Sequence, residues 1–141
     1  PPVDARIVTD QYPGMGVLAG VHAGLAAARG DWAFVVAADM PLLNLDLLRA
    51  MAARASAECD VLVPHWQGNL EPLHALYRPA VCAPAAEAAL LRGQRRIIAF
   101  YDAVRVCAFE EESVARYAPE GASFFNVNTP GDWAEVCRRL G

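Results

Sequence analysis

Apolar positions along the chain alternate between two periods, and the alternation outlines the fold. Leu18, Val21, Leu25 and Ala28 recur at helical spacing, as do Leu45, Leu48, Met51 and Ala55. Between these helices, residues 32–38 are apolar without interruption, the pattern of a strand covered on both faces in a parallel sheet. Shorter strand-like runs stand at Arg6–Thr9, Asp60–Pro64 and Val104–Phe109. A helix is predicted over Pro79–Arg92, with Pro79 tolerated in its first turn, Pro84 bending it or delaying its start, and Gly93 ending it. Residues 130–140 read as a closing amphipathic helix with Trp133, Val136, Cys137 and Leu140 on one side. Residues 65–76 read as a turn at Gln67-Gly68-Asn69 and a brief extended piece.

Strands alternating with helices predict an α/β sandwich with right-handed crossovers. The expected class is a doubly wound, mostly parallel, three-layer sheet. The expected organisation is one domain over residues 1–141, with no repeat or low-complexity linker. Composition agrees: 55% of residues are hydrophobic and 20% charged, which suits a packed core and excludes a disordered chain. The net charge of −4 argues against nucleic acid as a partner. No apolar run is long enough to span a bilayer, and no signal peptide is visible, so a cytoplasmic location without membrane partners is expected. Cys59, Cys82, Cys107 and Cys137 show no metal-ligand spacing; four cysteines allow two disulfides, but their apolar and helical settings read as small buried hydrophobes in a reducing compartment.

Two acids end predicted strands. Asp39 follows the apolar run 32–38 and stands before Met40-Pro41; Asp10 follows Arg6–Thr9 and precedes the loop YPGMG, residues 12–16. In open α/β sheets ligands bind beyond the carboxyl ends of the strands, and a carboxylate there suits a hard cation carrying phosphates. An Asp in this position is also an ordinary turn or cap residue, so local pattern leaves both readings open. Gly14 and Gly16 supply positive φ in the loop. Gly20 and Gly24, four apart on the following helix, leave room for close backbone packing, and Gly30 is expected to stop that helix. Arg95-Arg96 reads as an anion site or a solvated pair, and Glu71 as a substrate-orienting acid or an arginine partner. His74 reads as a packed residue, and Asn126 and Asn128 share one side if extended.

Five stretches in order, GMGVLAGVHAGL (14–25), AADMPLL (37–43), EPLHALYRP (71–79), GQRRI (93–97) and FFNVNTPGDW (124–133), together resemble the MobA-type molybdenum cofactor guanylyltransferases. The resemblance covers nearly the whole chain. It implies the nucleotidyltransferase form of the α/β sandwich. It implies Mg²⁺-dependent transfer of GMP from GTP to the terminal phosphate of molybdopterin, with pyrophosphate released. Asp39 matches the family's metal-binding aspartate and Asp10 one that contacts the nucleotide. Gly14, Gly16, Leu18, Ala19 and Gly20 match the segment along the GTP site. Asn126 and Asn128 match an element where pterin and metal meet, and Arg95 and Arg96 a basic pair for the pterin phosphate. GTP and molybdopterin are the expected partners, with molybdoenzyme maturation proteins as further ones. The family's glycine-rich phosphate-binding segment has no counterpart here. The expectation is therefore a C-terminal portion of a longer domain lacking its first βα unit, weak or inactive alone. A molybdopterin cytidylyltransferase and a non-catalytic binding module are the competing readings. LAG at 18–20 and AGL at 23–25 favour guanine.

Overall fold

A computed structural model describes residues 5–37 and 45–117. In chain order these form helix α1 (Gly16–Ala27), strand β1 (Ala33–Val36), helix α2 (Leu45–Arg54), strands β2 (Val61–Trp66), β3 (Asn69–Leu70) and β4 (His74–Tyr77), helix α3 (Pro79–Leu91), a 3-10 helix (Ile97–Ala103), strand β5 (Val106–Phe109) and helix α4 (Glu111–Tyr117). Predicted features at Asp39, Asn126, Asn128 and 130–140 lie outside the described residues.

The sheet is mixed. β4 lies between β1 and β2 and runs antiparallel to both, while β5 pairs with β2 in parallel. β1, β2 and β5 therefore point the same way, and their carboxyl ends share one edge. Chain reversal after β2 is local: Gln67 and Gly68 both have positive φ, as a two-residue type I′ hairpin requires. The returning chain pairs with β2 first at β3 and again at β4, looping out over residues 71–73 between them. The brief extended piece read within residues 65–76 thus holds β3 and the start of β4, and β4 joins β1 to β2.

Alternation along the strands divides the core. Val61, Val63, Ala75 and Tyr77 pack on one face against Leu18, Val21 and Leu25 of α1, Cys82, Ala86 and Ala89 of α3, and Phe100. Leu62 and Leu76 pack on the other face with Leu47 and Met51 of α2, Phe109, and Val114 of α4. Helices on both faces of one sheet make the three layers expected. α3 starts at Pro79 and continues through Pro84, so Pro84 does not delay the helix.

Three local expectations change. Residues 6–9 pair with no described strand and Ile7 is 93% exposed; β-branched residues make a strand only where a ladder partner lies beside them. α1 ends at Ala27, three residues ahead of Gly30, where the Ala28 N–H turns back to the Leu25 carbonyl. Cys59 and Cys107 are joined in a disulfide with Cα atoms 5.8 Å apart, rather than remaining thiols. The parallel register that sets Leu62 opposite Cys107 brings them together across 48 residues of sequence. Cys82 is a buried free thiol, and burial pushes it up to about 11.

The amino-terminal edge of β2 and β5 is fastened by charge as well. The Asp60 carboxylate, 5% exposed, accepts from the Arg105 backbone N–H at 2.9 Å and from its guanidinium at 3.0 and 3.2 Å. Arg78 Nε lies 3.7 Å from the same carboxylate. Arg78 also donates to the carbonyls of Ser56 and Cys59 and stacks over the Trp32 ring at 4.5 Å. The Arg105 guanidinium, with the other donors beside it, holds Asp60 below the ordinary carboxylate range.

Candidate functional site

The amino end of α1 gathers most of the predicted residues that the structure describes. Gly14 and Gly16 have φ of +81° and +72°, so the loop 12–16 turns through left-handed conformations that side chains resist. The turn is closed by the Met15 N–H donating to the Tyr12 carbonyl at 3.3 Å. Met15 at the N-cap offers no side-chain cap, and the first turn carries no acid. Among the described residues no side chain caps that helix end, which carries the positive end of the dipole. The Asp10 carboxylate lies over this helix: Oδ1 stands 3.8 Å from where a Cβ on Gly20 would be.

Arg95 reaches the same turn. Its carbonyl accepts from the Leu18 N–H at 3.4 Å, and its Cβ would lie 3.8 Å from a Cβ on Gly16. The end of α3 aims it there. Gly93, at φ +80°, closes a Schellman motif in which the Gln94 N–H bonds to the Ala89 carbonyl and the Gly93 N–H to that of Leu90. Arg95 and Arg96 both line a groove of about 430 Å³ with Gln94, Ile98, Ala99 and Asp102. Arg96 also borders a second groove with Gly68, Asn69 and Pro72, beside the β2–β3 hairpin. The pair thus bridges the turn at α1 and the carboxyl end of β2.

Not every predicted residue presents a side chain. Leu18 and Ala19 are fully buried in the core, so only their backbone faces the turn. A Cβ on Gly24 would meet nothing within 4 Å. Gly20 and Gly24 therefore open onto an apolar groove shared with Val17, Val21, Phe34 and Val36 instead of receiving a neighbouring backbone. His74 is fully buried, as a packed residue should be, and burial lowers its pKa. Glu71 is half-buried, which raises its carboxyl above the ordinary range; the ion pairs among the described residues do not include it.

No group of three His, Cys, Asp or Glu side chains among the described residues forms a metal cage. A hard divalent ion that takes one or two carboxylates and completes its shell with phosphate oxygens and water needs no such cage. The carboxylate expected to hold such an ion, Asp39, lies outside the described residues, while Asp10 lies beside Gly20, one turn into α1. Sequence reasoning missed Tyr12 and Glu87. The Tyr12 hydroxyl donates to Glu87 Oε1 at 2.6 Å, and its ring meets His22 edge-on at 5.5 Å. Glu87 pushes the phenol of Tyr12 above its usual pKa. No sequence signal links residues 75 positions apart.

Comparison with known proteins gives this arrangement a context. A family model described as "MobA-like NTP transferase domain" matches residues 1–107. A "Probable molybdenum cofactor guanylyltransferase" from Pelotomaculum thermopropionicum is 39% identical over 127 residues, covering 90% of this chain and 61% of the relative. The "Molybdenum cofactor guanylyltransferase" of Vibrio cholerae is 34% identical over 132 residues, covering 93% of this chain and 62% of the relative. The crystal structure of "Molybdopterin-guanine dinucleotide biosynthesis protein A" from Archaeoglobus fulgidus superposes with a TM-score of 0.81 at 32% identity, covering 97% of this chain and 70% of that one. The chain spans about 60% of the length of the first two relatives.

Proposed function

The chain belongs to the MobA-like NTP transferase domain family, and on that footing we propose that it forms part of a molybdenum cofactor guanylyltransferase. The reaction proposed is transfer of GMP from GTP to the terminal phosphate of molybdopterin. The observation that carries this reading is the gathering of Asp10, the Gly14–Gly16 turn and Arg95 around the first turns of α1. The relatives' names favour guanine over cytosine.

Nucleotidyl transfer asks a protein for positioning and charge neutralisation more than for covalent chemistry. An acceptor phosphate oxygen attacks the α-phosphorus of GTP, a new P–O bond forms, and the bond to the β-phosphate oxygen breaks as pyrophosphate leaves. The nucleophile is already ionised at neutral pH, so no general base is required. The amino end of α1 and Asp10 would orient the nucleotide. Arg95 and Arg96 would offset the charge of the acceptor phosphate. Asn126 and Asn128 would bind the pterin side. Asp39 is the carboxylate we assign to Mg²⁺. That ion, when bound, supplies the positive charge that lets two anions approach.

The test is pyrophosphate release by the enzyme carrying this chain, with molybdopterin, Mg²⁺ and either GTP or CTP. GTP preference is expected, and Asp39→Asn should lower the rate by about a hundredfold or more without unfolding the protein. Preference for CTP would overturn the guanine assignment. Near wild-type turnover by Asp39→Asn would remove Asp39 from the site.

A further inference from the structure

Glu87 sits on α3, outside every element assigned above to substrate. Yet its carboxylate accepts a 2.6 Å hydrogen bond from Tyr12, the first residue of the glycine turn. We infer that Glu87 is a positioning residue: through Tyr12 it holds the turn 12–16 in the shape that receives the nucleotide. The inference rests on the nucleotide reading of the site.

The geometry argues for a two-point mount. A turn containing two left-handed glycines has many accessible shapes, because glycine resists none of them. The Met15 N-cap contributes no side-chain bond that would select one. One side of the turn is fixed by the Leu18 N–H on the Arg95 carbonyl. Among the described residues, the other side-chain anchor is where Tyr12 leaves the loop. There the hydroxyl meets a carboxylate, a charge-assisted bond, and the ring is wedged edge-on against the buried His22. Both anchors belong to one stretch, α3 and the segment that its Schellman turn sends back to Arg95. The stretch that presents Arg95 thereby also sets the turn, so the two flanks of the site keep a fixed spacing.

The variants are Tyr12→Phe, Glu87→Ala and Glu87→Gln; the last keeps an oxygen acceptor and loses the charge. In the enzyme carrying this chain, Tyr12→Phe and Glu87→Ala should raise KM for GTP about tenfold, the worth of one charge-assisted hydrogen bond, with kcat nearly unchanged. Glu87→Gln should recover most of the loss. Amide hydrogen exchange over residues 14–18 should speed up in the first two variants and not in the third. Unchanged exchange in all three overturns the mount. Faster exchange with unchanged KM overturns the positioning role, because the turn would then be held for stability alone. A wild-type enzyme that binds no GTP would sink the functional reading instead, while the exchange comparison would still decide whether Glu87 holds the turn.

Discussion

Removing the Asp60 carboxylate tests the amino-edge clamp most directly. Asp60→Ala deletes an acceptor that serves the Arg105 backbone N–H and two of its guanidinium nitrogens, and leaves that backbone donor without its partner. Hydrogen bonds to a charged group contribute about 1.5–3 kcal/mol each, but the three here are not independent. The Arg105 side chain is 60% exposed and returns to water when its partner is lost, which discounts the ionic share heavily. Stranding the backbone donor and losing the buried acceptor together amount to about 3 kcal/mol. In a domain of this size that lowers Tm by about 10 °C. Arg105→Ala should cost less than half as much in Tm, because the backbone bond and Arg78 remain. The pH dependence follows from the lowered Asp60 pKa. The native state holds this proton less tightly than the unfolded chain, so the contribution is fully present above the unfolded value of about 4 and fades as pH falls through the lower folded value. Scanning calorimetry from pH 7 to pH 2 should show wild type losing stability faster than Asp60→Asn below about pH 4. Parallel curves for the two proteins, or an Asp60→Ala Tm within about 2 °C of wild type at pH 7, would refute the clamp.

Two further outcomes check other parts of the structure. Cys59→Ser opens a cross-link across 48 residues, which the chain-entropy model values at about 4 kcal/mol. Oxidised wild type should melt well above Cys59→Ser and fall to its level on reduction; coincident melts before reduction would deny the bond. Gly16→Ala forces a side chain to φ +72° and should lose about 1 kcal/mol, whereas Gly24→Ala, in a helix with open space beside it, should gain about 0.5–1 kcal/mol. Denaturant titration separates the two, and equal signs would contradict the backbone reading.

Much of the layer structure was legible because local pattern and final environment agree. The apolar period of α1 became a core face and Gly93 closed α3 as its position suggested, whereas α2 turns Leu47 and Met51 inward and leaves Leu45 of the predicted stripe 63% exposed. What stayed hidden was set by partners distant in sequence. Residues 74–77 look unremarkable locally, and they became a strand because β1 and β2 both offer ladders to them. Arg6–Thr9 has the composition of a strand and lacks a described neighbour to pair with. Cys59 and Cys107 meet through a parallel register that no spacing rule reveals. In the candidate site, the glycines and Arg95 could be named from motif, while the Tyr12–Glu87 contact could not. Asp39, Asn126 and Asn128 rest on motif alone.

The Cys59–Cys107 bond, Asp60 and both its arginines all occupy one rim of the sheet, and the described arginine pair borders the opposite rim beside the β2–β3 hairpin. Durability and specificity are consequently separable traits in this molecule. A laboratory seeking a variant with altered nucleotide choice can randomise the turn and the arginine pair without eroding the fasteners, and one seeking a hardier protein can reinforce the far rim and leave turnover untouched.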